Sequence, residues 1–113
     1  MDAPVAIACL LDDKELQRRR SDHLDKAGKL LTGERELPNG IEYSFRIQDD
    51  IVALLAEIIS LERKCCPFLD MAMFIRSGED DVSLTLSGPD GTKEAVRSLF
   101  AWSDNPSSVH SRS

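Results

Sequence analysis

Two periods of hydrophobic spacing alternate along this chain. From Ile41 to Gln48 apolar and polar residues alternate strictly, with Ile41, Tyr43, Phe45 and Ile47 on one side. Successive side chains of an extended chain point to opposite faces, so this spacing predicts a half-buried strand. From Ile51 to about Cys65 the spacing becomes helical, and Ile51, Leu54, Leu55, Ile58 and Ile59 form one stripe. Asp49 or Asp50 can cap this helix. Pro67 stops it, because proline has no amide hydrogen and pushes Cys66 toward extended backbone. Val5 to Leu11 is apolar on both faces, as in a buried central strand. Lys14 to Leu31 reads as a helix capped by Asp12 or Asp13, with a thin stripe of Leu16, Leu24, Ala27 and Leu31, ended by Thr32-Gly33. Pro38-Asn39-Gly40 marks a turn. Met71 to Arg76 and Val82 to Ser87 read as a hairpin across the polar turn Ser77 to Asp81. Lys93 to Trp102 reads as a last helix, with Ala95, Val96, Leu99 and Phe100 inward.

The order is therefore β-α-β-α-β-β-α. The simplest packing is an α+β two-layer sandwich, a four-stranded sheet with helices on one face. Residues 1–102 form a single domain by this reading, and 103–113 a polar, flexible tail. The two-sided first strand, with Ala72 and Phe74 in the third, suggests cover on the second face of the sheet, which a homodimer stacking its sheets would supply.

Composition narrows the partners. No apolar run reaches the ~20 residues of a membrane span. Ala3 to Leu11 is short, is followed by Asp12-Asp13, and lacks the basic start and cleavage site of a secretion signal. The expectation is a cytoplasmic protein with no membrane partner. Three cysteines, an odd number, fit reduced thiols better than a disulfide framework. The formal net charge of −6 repels phosphate backbones and argues against nucleic acid. The basic cluster Arg18-Arg19-Arg20 lies among Asp12, Asp13, Glu15, Asp22 and Asp25 and reads as a solvated helix face. Gly88-Pro89-Asp90-Gly91 matches no nucleotide fingerprint, and no Ser/His/Asp set is present. His23 reads as a surface or helix-pairing residue.

The second helix carries the chemistry. With Ile51 at zero on a helical wheel, Glu62 falls near about 20°, in the centre of the apolar stripe, while Arg63 and Lys64 point away. A carboxylate there is costly unless paired, protonated or bound to a metal. Glu62 stands three and four residues before Cys65 and Cys66, the spacing that brings side chains together on a helix. On the first helix Arg20 falls within the apolar stripe. It can lay its stem on the core with its head in water, or it can partner a buried carboxylate.

Three readings stay open. In the first, Cys65 and Cys66 only pack and Glu62 is salt-bridged, with Arg20 a candidate, in a structural or interaction domain. In the second, the adjacent thiols bind a soft metal or metalloid ion, Hg(II), As(III), Zn(II) or Cu(I), with Cys9 or Glu62 as a further ligand. In the third the thiols do redox chemistry, in a small thiol oxidoreductase. Against the third, they sit at a helix C-terminus, where the dipole opposes a thiolate, and a bridge between adjacent residues is strained, since their Cα atoms lie only ~3.8 Å apart. Cys66-Pro67 also matches the dipeptide of haem-responsive proteins, too short a signal to carry a site.

Glu62-Arg63-Lys64-Cys65-Cys66-Pro67-Phe68-Leu69, the strand end Ala8-Cys9-Leu10-Leu11 and the later Leu86-Ser87-Gly88-Pro89-Asp90-Gly91-Thr92-Lys93-Glu94 together resemble small bacterial proteins with a Glu-Arg-x-Cys-Cys-Pro-Phe signature. The resemblance implies an association with heavy-metal resistance and groups Cys9 with Cys65 and Cys66. The working expectation is a thiol-dependent soft-ion binder using Cys9, Cys65 and Cys66, with Glu62 as fourth ligand or neighbouring base. Sequestration, sensing and transfer of the ion all fit it.

Overall fold

The computed structural model describes residues 14–48, 50–100 and 102. Its elements are α1 (Lys14–Gly28), β1 (Leu31–Leu37), β2 (Gly40–Arg46), α2 (Ile51–Cys65), β3 (Asp70–Ile75), β4 (Asp81–Ser87) and α3 (Thr92–Phe100). The four strands form one antiparallel sheet in the order β1-β2-β4-β3. The α+β architecture with a four-stranded sheet is the expected one. No described helix is long and apolar enough to cross a membrane.

One strand of that sheet differs from expectation. The apolar run Val5 to Leu11 lies outside the described residues, and Leu31 to Leu37, read from sequence as a helix end and connection, is a strand. α1 stops at Gly28, where Leu30 N–H turns back to the carbonyl of Ala27 at 2.9 Å. β1 then pairs with β2, with Leu37 opposite Gly40 across the Pro38-Asn39 turn. β1 escapes a periodicity search because its helix-facing side is ionic. Glu34 and Glu36 stand opposite Tyr43 and Ile41 and reach Arg97 of α3 at 3.6 and 3.1 Å.

The alternation of β2 and β4 does what it predicts. Ile41, Tyr43, Phe45, Val82, Leu84 and Leu86 are fully buried on one face, with Leu55, Ile58 and Val96 from the helices packed into the same core. Burying such a side chain contributes roughly 1.5–3 kcal/mol. The opposite face carries Glu42, Ser44, Ser83 and Thr85, with exposed Phe74 of β3 beneath the Arg76 guanidinium. Gly40 lets β2 and β4 close up, since a Cβ there would stand 2.1 Å from the Leu86 carbonyl oxygen. Trp102 plugs the end of the core. Its indole N–H donates to the Leu24 carbonyl at 2.9 Å, and its ring meets Tyr43 and Phe45 edge-on, both at 5.0 Å.

Candidate functional site

α1 and α2 lie against each other, and the last turns of α2 meet the middle of α1 and the end of α3. Glu62 is fully buried there. Its carboxylate is held by Arg20 from two atoms, Nε to Oε2 at 2.5 Å and Nη2 to Oε1 at 3.3 Å. Of the two sequence readings of Arg20, the partner of a buried carboxylate is the one observed. Such a two-point, charge-assisted pair fixes geometry as well as charge. The same Nη2 donates to the Leu99 carbonyl at 3.1 Å, and the guanidinium lies 5.3 Å from the centre of the Phe100 ring. One arginine thus ties α1, α2 and α3 at a single point. Sequence reading missed the α3 half of this. A backbone carbonyl at a helix end carries no residue-type signal, and its approach depends on how the layers pack.

The two cysteines flank the carboxylate. Cys65 ends α2 and Cys66 caps it, with extended backbone (φ −127°, ψ 76°) and its N–H donating to the Glu62 carbonyl at 2.7 Å. The proline that follows, Pro67, disfavours helical backbone at Cys66. The Cys66 thiol donates to Glu62 Oε1 at 3.4 Å, and its sulfur lies 3.4 Å from Cys65 Sγ. Both cysteines are fully buried. Arg63 and Lys64, between them and Glu62, point to solvent. Gly88 presses on the loop beyond, where a Cβ would meet the Phe68 carbonyl at 2.7 Å.

Of the four residues singled out in the sequence, Glu62, Cys65 and Cys66 come together, with one ligand atom from each within 4.8 Å of the others. Cys9 lies outside the described residues. Cys66 is a free thiol. Cys65 is disulfide-bonded, which departs from the reduced thiols expected from the odd cysteine count. The Cys66 thiol is pushed up from 9.0 to about 12, first by burial, then by the negative charge of Glu62 and its acceptance of the thiol proton, with Arg20 pulling the other way. Cys66 is therefore a poor nucleophile at neutral pH, which agrees with the helix-dipole objection to redox catalysis.

A second α1–α2 contact lies toward the other end of α2. His23 Nε2 stands 3.1 Å from Glu57 Oε1, which makes His23 the helix-pairing residue expected. The pair borders an open cleft of about 740 Å³ lined also by Lys26, Lys29, Ile51 and Leu54.

The chain has no match among known family models, curated proteins or solved structures.

Proposed function

We propose that this protein binds a soft metal or metalloid ion through the reduced thiols of Cys65 and Cys66, with Cys9 as the further thiol. The observation that carries this reading is the convergence of Glu62, Cys65 and Cys66 in one fully buried corner. Paired sulfur donors select thiophilic ions, Hg(II), As(III), Zn(II) or Cu(I), over hard cations. The ion brings its own positive charge to a helix C-terminus, which removes the dipole penalty that weighs against bare thiolates. Two sulfurs held tetrahedrally at ~2.3 Å from one ion lie about 3.8 Å apart. The observed 3.4 Å is slightly closer and suits a pyramidal metalloid with a narrower S–M–S angle.

Glu62 has a different part from the thiols. Arg20 occupies its carboxylate, so Glu62 is better placed to orient Cys66 and accept its proton as an ion displaces it than to serve as fourth ligand. The reading requires Cys65 in its thiol form, and hence a reducing compartment such as the cytoplasm. A second reading, a structural domain whose cysteines only pack, draws support from the complete Arg20–Glu62 pair, which satisfies the buried carboxylate with no ion.

Titration of the reduced protein with Hg(II), As(III), Zn(II) and Cu(I), read by native mass spectrometry, separates the two. One tightly held ion per chain, lost in Cys65→Ser and in Cys66→Ser, is the expected result. Affinity weaker than micromolar for all four, or undiminished binding by Cys65→Ser, refutes the soft-ion reading.

A further inference from the structure

We infer that the outer edge of β3 is a self-association surface, where a second copy of this chain pairs antiparallel and joins two four-stranded sheets into one. The surface shares no residue with the ion corner and stands apart from the soft-ion reading. A sheet edge presents unpaired N–H and C=O groups, and folds protect such edges with charges, prolines or bulges. The two edges of this sheet differ in that respect. β1 breaks register between Leu31 and Gly33 and carries charges along its middle, Glu34 and Glu36 paired with Arg97 and Arg35 with Glu42. β3 lacks these devices. It runs in unbroken register with β4 from Asp70 to Ile75 and holds neither proline nor lysine. Among the described residues no strand pairs with its outer side. Its large side chains stay in water, Phe74 at 53% exposure and Ile75 at 56%.

The residue order along β3 points to a second copy as the occupant. With a two-fold axis through Met73, normal to the sheet, the surface meets itself. Asp70 then stands opposite the partner's Arg76, and Ala72 opposite the partner's Phe74. On the other face Met71 stands opposite the partner's Ile75, and Met73 opposite the partner's Met73. Each match is complementary: acid with base, small with large, apolar with apolar. Opposite residues of an antiparallel pair bring their Cβ atoms to about 4.5–5.5 Å, within reach of an ion pair. The Arg76 guanidinium already lies over the Phe74 ring, 5.4 Å from its centre, on the face that Asp70 shares. Met71, Met73 and Ile75 stand on the core side, opposite Leu86, Leu84 and Val82, and the two stripes join across the axis into one apolar strip. A one-residue slip is barred, since it puts the two faces out of step. A two-residue slip sets Phe74 against Asp70 or against itself, and loses both ion pairs.

The experiment follows the full chain by sedimentation equilibrium over a micromolar to millimolar series, in reducing buffer so that no disulfide joins two copies. One strand from each copy makes a small interface, so a reversible dimer dissociating in the micromolar range is expected. A chain that stays monomeric throughout overturns the inference. Asp70→Arg and Arg76→Asp each set like charges at both ends of the shared ladder, and each alone should weaken the dimer at least about tenfold. A dimer that neither variant weakens lies on another surface, such as stacked sheet faces, and overturns the inference as well. Mixed in equal amounts, the two variants regain both ion pairs, because each reversed charge meets its opposite in the other chain. Native mass spectrometry should then show the mixed dimer well above either variant's own dimer, which a misfolded variant could not form. A mixed dimer no more abundant than random pairing gives, or none, overturns the inference.

Discussion

Two contacts between α1 and α2 each set a basic side chain against a glutamate. Arg20 meets Glu62 and, one turn along α1, His23 meets Glu57. In the first the glutamate side chain is 0% exposed, and in the second 63%. The difference teaches which of them the fold depends on. Glu57 can exchange its partner for water, so the pair with His23 adds little. Glu62 cannot, and removal of Arg20 would strand a charge in the core. Nor does the buried pair earn its place through stability, because apolar side chains of similar volume pack as well. What it adds is a fixed carboxylate beside two thiols.

The largest effect should come from breaking the buried pair on one side. Arg20→Met should lower unfolding free energy by about 3–5 kcal/mol in urea titrations. Arg20→Met with Glu62→Met should recover most of that loss, because the unpaired charge is gone. If the double variant is as unstable as the single one, the corner is held by something other than the charge pair.

The next effect is on Cys66. Its pKa is raised in the folded state, so the folded protein holds the thiol proton more tightly than the unfolded chain. That contribution is complete below pH 9 and is lost as pH rises toward about 12. Unfolding followed over that range should show falling stability in the parent chain, with the Cys66 share of the slope absent in Cys66→Ala. Glu62→Gln removes the negative charge that helps hold the thiol up. Cys66 should then be alkylated faster at a given alkaline pH, and unchanged rates would show that burial alone sets the shift. The smallest effect belongs to the exposed pair. Glu57→Gln should cost less than about 1 kcal/mol.

The same contrast shows what a sequence discloses. Glu62 was legible because a carboxylate broke the helical stripe of Ile51, Leu55 and Ile58, and Cys65 and Cys66 followed at helical spacing. Arg20 was legible only as one of two options, since a wheel shows which side a residue faces and not what stands opposite. β1 was not legible. Its inner side answers α3 with Glu34 and Glu36 instead of apolar residues, and no hydrophobic period records an ionic contact. The Leu99 carbonyl and the Phe100 ring reach Arg20 through layer packing that local spacing does not encode.

The most direct measurement of the central claim is thiol protection mapping. The reduced protein is given one equivalent of Hg(II), treated with an alkylating agent under denaturing conditions, and read by peptide mass. The account expects Cys65 and Cys66 to be protected together, and their protection to weaken together in Glu62→Gln. Protection of neither cysteine, or of one without the other, would contradict it.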